Sequence, residues 1–218
     1  MTFTKAIIFD MDGTLVDNMG IHLDIWVDFL AERGVTVTQE EFHRRTSGMR
    51  NPEIMRQFID PGLTDDQVLE LQEEKESLYR KLHAGHMEPM PGSIEFFEAA
   101  KAQGLKLAVA TSAYRPNVDF TLDGLQIRPY FQAVISAEDV VNGKPNPDPF
   151  LLAAQQLGVA PELCLVFEDA ESGIEAARRA GMRAFYITST TKPEDIPHQP
   201  HIIGNAPNFN GLDITNLI

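Results

Sequence analysis

Four short stretches of this chain carry side chains suited to a charged oxyacid, and each follows an apolar run. The first is Asp10-Met11-Asp12-Gly13-Thr14. Carboxylates two residues apart point the same way while the chain stays extended. So close a pair resists joint ionisation unless a cation or a proton is shared. The second stretch, Thr111-Ser112-Ala113, sets hydroxyls and backbone amides at a strand end, and the third, Gly143-Lys144-Pro145, brings an ammonium group. The fourth, Glu168-Asp169, is another acid pair. Taken singly, each has a plain structural explanation: an Asp-Gly turn, a hydroxyl helix cap, a solvated loop lysine, or acids complementing a helix dipole. Together they form a working set, with carboxylates for a hard divalent cation and a lysine and hydroxyl for phosphate oxygens.

The elements that must position this set are legible as apolar runs over 5–10, 106–111, 133–136, 163–168 and 184–187, with a short sixth candidate at 201–203. The first five are nearly continuous in Ile, Val, Leu, Phe and Ala, as strands covered on both faces require. Helical patterns alternate with them and stop at Gly104, Gly158 and Gly181, glycine being the usual left-handed stop. The fold class is therefore α/β, a doubly wound parallel sheet forming a Rossmann-like core. Residues 18–87 have helical periodicity and no strand, so the expected organisation is a core of 1–17 and 88–218 with an inserted α-helical cap over 18–87. Within it, Thr64-Asp65-Asp66-Gln67 is a capping box opening a long helix. That helix's apolar stripe reads Val68, Leu71, position 75, Leu78, Leu82, and Lys75 interrupts it. A lysine on an inward stripe needs a partner or a ligand. His22 shares a face with Trp26, Phe29 and Leu30. The last 25 residues, rich in Pro and Asn, read as irregular.

With 218 residues the chain fits one domain carrying an inserted subdomain. Its 18 Lys+Arg against 32 Asp+Glu give a formal charge of −14, and no basic cluster offsets it, which argues against nucleic acid and acidic membrane surfaces as partners. No apolar run approaches the roughly 20 residues of a membrane span, and the run after the N-terminus is too short for a signal peptide. The single cysteine, Cys164, fits a reducing compartment and sits in an apolar strand as an inert thiol. The expectation is a cytoplasmic protein, a monomer or weak dimer, whose partner is a small phosphorylated metabolite. Trp26, Met49 and Met55 read as cap packing. His83–His86 and His198–His201 have helical spacing but no third ligand, which argues against zinc.

On Asp10-Met11-Asp12-Gly13-Thr14, Thr111, Lys144 and Glu168-Asp169, taken in order, the chain resembles the haloacid dehalogenase (HAD) superfamily. Within it the resemblance is to the β-phosphoglucomutase-like group with a helical (C1-type) cap. It extends over nearly the whole chain outside the cap. It implies Asp10 as nucleophile, Asp12 as general acid and base, and Thr111 and Lys144 as phosphoryl-binding groups, joined by Ser112 and Ala113. It implies Mg²⁺ held by Asp10, the Asp12 backbone carbonyl and Asp169, with Glu168 close by. Members that cleave carbon–halogen bonds lack the second aspartate and the metal, so Asp12 argues against dehalogenation. In the cap, the resemblance assigns Lys75 and His22 to the substrate. The mutase's cap arginine does not align cleanly, since Asn51 stands at its spacing and Arg50 one residue early. Asn18 replaces a hydroxyl residue after the first motif. The expected function is a Mg²⁺-dependent phosphatase of a small phosphorylated metabolite, a sugar phosphate, working through an aspartyl-phosphate. The alternatives are a β-phosphoglucomutase-type phosphosugar mutase and, from another class, a non-catalytic phosphate- or metal-binding module.

Overall fold

Side chains alternate faces along a strand, so a strand buried on both sides must be apolar throughout. Strands β1 (Ala6–Phe9), β2 (Lys106–Ala110), β3 (Ala133–Ile135), β4 (Cys164–Glu168) and β5 (Arg183–Ile187) obey that rule almost without exception. The computed structural model describes residues 4–46 and 49–218. It divides into two compact units, Met1–Asp17 with Met87–Ile218, and Asn18–His86.

In the first unit six parallel strands lie in the order β3-β2-β1-β4-β5-β6, with β6 at Ile202–Ala206. Order reverses between β1 and β4, the place where open α/β sheets bind ligands. The two sheet faces are packed differently. Ile7, Phe9, Leu107, Val109, Leu165 and Phe167 meet Phe96, Phe97 and Phe209 in an aromatic-rich layer. Ala6, Ile8, Ala108, Ala110 and Ala184 on the opposite face meet Phe150, Ala153, Ala154, Ala176 and Ala177. Small residues there let helices α7 (Asp148–Leu157) and α8 (Glu171–Arg179) lie close against the sheet. Helix α5 (Ser93–Ala102) contributes Phe96 and Phe97 to the aromatic layer.

Two elements depart from the sequence expectation. Part of the tail read as irregular forms β6, longer than the 201–203 candidate; at the sheet edge it is only half-buried, so no continuous apolar run marks it. Helix α6 (Arg115–Gly124) had no sequence signal, because its buried side includes Asn117 and Thr121 beside Val118 and Leu122.

The second unit comprises α1 (Met19–Ala31), α2 (Gln39–Thr46), α3 (Asn51–Phe58) and α4 (Asp65–His83). Trp26, Phe29, Leu30, Phe42, Ile54, Met55, Phe58 and Val68 form its core. The expected capping box opens α4: Thr64 Oγ1 accepts from the Gln67 amide, and Gln67 Oε1 accepts from the Thr64 amide. The expected stripe is corrected. The buried positions are Val68, Gln72, Lys75, Glu76, Tyr79 and His83, whereas Leu78 and Leu82 are exposed. Apolar spacing misplaced the face because the inward side of α4 is largely polar. No helix among the described residues is long and apolar enough to cross a membrane.

Phe9 is fully buried and packs edge-on or stacked against Phe96, Phe97, Phe131 and Phe167. Phe9→Ala should cost about 3–5 kcal/mol of stability, measured by urea denaturation.

Candidate active site

Pairing register brings the acids together. Phe9 lies beside Phe167 in the β1–β4 ladder, and the Asp10 amide donates to the Phe167 carbonyl at 2.9 Å. Asp10 and Glu168, the next residues along, therefore emerge side by side at the carboxyl-terminal rim of the sheet, and Asp169 follows. Oxygens of Asp10, Glu168 and Asp169 lie within 4.8 Å of one another, and all three residues are buried. Lys144 is buried with them, its Nζ donating to Asp10 Oδ1 at 2.5 Å and Glu168 Oε1 at 2.7 Å. Its ammonium also stands 4.8 Å from the Phe150 ring centroid. The loop lysine is thus no solvated side chain.

Two glycines make room for this packing. A Cβ at Gly13, whose φ is +80°, would stand 2.3 Å from Asp169 Oδ2, and one at Gly173 would stand 1.8 Å from Glu168 Oε1. Glu168 Oε2 accepts from the Ala170 amide at 2.6 Å. Asp169 accepts from Thr14 Oγ1 at 3.3 Å and Thr190 Oγ1 at 2.7 Å. Thr190 and its neighbours Ser189 and Thr191 are site residues that strand-end reading overlooked. The available signal was a hydroxyl run, 188–191, directly after β5 on the same rim.

Burial, and the negative charges of Glu168 and then Asp12 close by, raise the Asp10 pKa from 3.8 to about 7 despite Lys144. Burial also lifts Asp169 well above the ordinary carboxyl range, with Glu168 and Asp10 adding to it. For Lys144 burial works against the charge, but Asp10 and Glu168 prevail and hold the amine above the usual lysine range. Three buried carboxylates against one ammonium leave the site short of positive charge. The donor set, all hard carboxylate oxygens, fits a divalent cation such as Mg²⁺.

The other expected core residues are placed as follows. Asp12 is half-buried beside Asp10, and its carboxylate lies outside the three-acid group. Thr111 is buried at the end of β2, its amide donating to the Ile135 carbonyl. Ser112 is exposed. The Ala113 amide, expected to be open to a ligand, instead donates to Thr111 Oγ1 at 3.1 Å, because the chain closes a tight hydroxyl turn there. Cys164 is buried, and burial with the Glu162 charge pushes its thiol up to about 11, which keeps it out of nucleophilic chemistry.

The cap unit has its own buried polar group. Lys75 Nζ donates to Glu76 Oε1 at 2.7 Å, and Asn51 Nδ2 donates to the same oxygen at 2.6 Å. Lys75 Nζ also lies 3.3 Å from His22 Nδ1. The His22 ring stacks on Tyr79 at 4.1 Å, and its Nε2 is buried without a partner among the described residues. Burial, then the Lys75 charge, pushes the His22 pKa down to about 3, so the ring is neutral. Arg50 does not join this group. It turns to Glu53 at the start of α3, and Asn51 takes the inward place instead.

The haloacid dehalogenase-like hydrolase family matches residues 4–181 of the chain. The phosphorylated carbohydrates phosphatase of Thermotoga maritima is 33% identical over 186 residues, covering 84% of each chain. The fructose-1-phosphate phosphatase YqaB of Escherichia coli is 36% identical over 181 residues, 82% of this chain and 94% of its own. The crystal structure of a HAD hydrolase, family IA, variant 3 from Entamoeba histolytica superposes with a TM-score of 0.90 at 27% identity, over 98% of this chain and 97% of that one.

Between pH 3.8 and about 7 the folded, metal-free chain holds a proton on Asp10 that the unfolded chain has lost. Its stability therefore falls as pH rises through that window. A cation displaces the proton, so its affinity rises in the same direction. The increase in Tm produced by MgCl₂ over EDTA should be larger at pH 8 than at pH 6 by scanning calorimetry. Gly173→Ala should push Glu168 off Lys144 and cut activity at least about 10-fold, measured as initial rate beside an intact far-ultraviolet spectrum.

Proposed function

As this chain belongs to the haloacid dehalogenase-like hydrolases, we propose that it is a Mg²⁺-dependent phosphatase that hydrolyses a sugar monophosphate through an aspartyl-phosphate on Asp10. The convergence of Asp10, Glu168, Asp169 and Lys144 at the carboxyl-terminal rim of the sheet carries this reading. The two phosphatase relatives, one acting on phosphorylated carbohydrates and the other on fructose 1-phosphate, support the substrate class.

Asp10, Asp169 and Glu168, with the Asp12 backbone carbonyl, would hold the cation, which when bound offsets the negative charge of the carboxylates and the phosphoryl oxygens. Lys144 binds a phosphoryl oxygen while keeping Asp10 oriented, and Thr111 binds a second. Asp10 attacks phosphorus in line with the leaving oxygen; the new Oδ–P bond forms as the P–O bond to the sugar breaks. Asp12 donates its proton to the departing sugar oxygen. It then takes a proton from the water that attacks phosphorus, releasing inorganic phosphate and restoring the Asp10 carboxylate. Phosphate-monoester hydrolysis demands roughly 20 kcal/mol or more of barrier reduction. General acid–base catalysis supplies about 10²–10⁴-fold, a few kcal/mol. Most of the acceleration therefore rests on fixed charge and positioning.

A mutase must also grip a second phosphate. Among the described residues the one buried cap cation, Lys75, is matched by Glu76, and Asn51 rather than an arginine accompanies it, which favours hydrolysis.

The test is phosphate release from a panel of hexose and pentose monophosphates with MgCl₂. Activity should vanish with EDTA and fall about 10³-fold or more in Asp10→Asn. Conversion of β-glucose 1-phosphate to glucose 6-phosphate would replace this reading with the mutase, and inactivity across the panel would replace it with a binding module.

A further inference from the structure

Three consecutive hydroxyl residues after β5 close on the acid loops. Ser189 Oγ donates to the Gly13 carbonyl at 2.5 Å. Thr190 Oγ1 lies 2.7 Å from Asp169 Oδ2 and 2.8 Å from the Asp169 carbonyl, and Thr191 Oγ1 donates to that carbonyl at 3.1 Å. A threonine hydroxyl has one proton to give. Of its two acceptors the carboxylate oxygen is the nearer and the more negative, so the Thr190 proton goes there, and Thr191 donates to the carbonyl.

The carboxylate needs such a restraint. Its neighbours are two more carboxylates within 4.8 Å, and like charges at that distance drive an unrestrained side chain toward solvent. Thr190 holds Oδ2, Thr14 holds Oδ1 at 3.3 Å, and the missing Cβ of Gly13 leaves the slot in which Oδ2 lies. Asp169 is thereby held at both oxygens, facing Asp10 and Glu168. A group fixed in its binding pose before the ligand arrives spends less ordering entropy on binding.

We propose that Thr190 is a positioning residue that sets the affinity of the divalent-cation site by fixing the Asp169 carboxylate. Ser189 ties the same loop to the first acid loop at Gly13. The proposal rests on reading the three acids as a cation site.

Calorimetric titration of the full chain with MgCl₂ tests it. Thr190→Val, which keeps the branched shape and removes the hydroxyl, should weaken Mg²⁺ binding about 10-fold or more, the usual effect of removing a partner that orients a ligand. Thr190→Ser, which keeps the hydroxyl, should bind within about 2-fold of the wild type. The Mg²⁺ concentration for half-maximal activity should rise with the binding constant in Thr190→Val, while kcat at saturating Mg²⁺ stays within about 3-fold, a split that general loosening of the fold would not give. Thr190→Ala provides a second variant without the hydroxyl should the valine chain fail to fold. Unchanged binding in the folded variants without the hydroxyl overturns the proposal alone. So does an equal loss in Thr190→Ser, which would assign the effect to methyl packing. A wild-type chain that takes up no Mg²⁺ overturns the proposal together with the cation-site reading.

Discussion

Burying three carboxylates against a single ammonium group is the constraint around which this structure is organised. Isolated, any one of these charges would be costly out of water. Lys144 bridges Asp10 and Glu168 and so makes two of them tolerable. The third, Asp169, is kept in place by hydroxyl donors and by the absence of side chains at Gly13. The arrangement remains electrostatically incomplete, and the raised pKa values of Asp10 and Asp169 express that deficit. Under the proposed reading, a cation bound there would compensate the carboxylates and the phosphoryl oxygens alike. Stability is given up locally for chemistry.

The sheet makes this possible because its interior is apolar and invariant in direction. Parallel strands deliver all their carboxyl ends to one rim, and the β1–β4 register fixes Asp10 beside Glu168 to within a residue. A slip of one residue would turn Phe9 and Phe167 out of the aromatic layer. Hydrophobic packing therefore enforces the register, and the register enforces the spacing of the acids. The two layers divide the work: bulky aromatics lock one face, and small residues on the other let α7 and α8 lie close to the sheet.

The cap unit follows a different logic. Its core is conventional, but the inward face of α4 carries Gln72, Lys75, Glu76 and His83. Sequence pattern marked Lys75 as anomalous and was right to do so, yet it placed Leu78 and Leu82 on the wrong side. Hydrophobic periodicity finds a helix face only when that face is apolar, and here the buried side is largely polar. Arg50 and Asn51 illustrate the same limit: adjacent residues at a helix start point in different directions, and only the backbone geometry of α3 decides which one reaches Glu76.

Order of residues alone marks the first five strands and several of the helices between them, and it sets acid, hydroxyl, lysine and acid groups after successive apolar runs. These follow from local rules, because apolar runs, glycine stops and chain order are properties of neighbours along the chain. What required tertiary structure was everything dependent on partners distant in sequence. Lys144 meets Asp10 from 134 residues away, and Thr190 reaches back 21 residues to Asp169. The edge strand β6 owes its place to pairing with β5 rather than to its own hydrophobicity. Whether the Ala113 amide is open or used, and which hydroxyl serves which oxygen, depends on distances of a few tenths of an ångström. No pattern of residue types encodes such distances, because they are set by how the whole core packs.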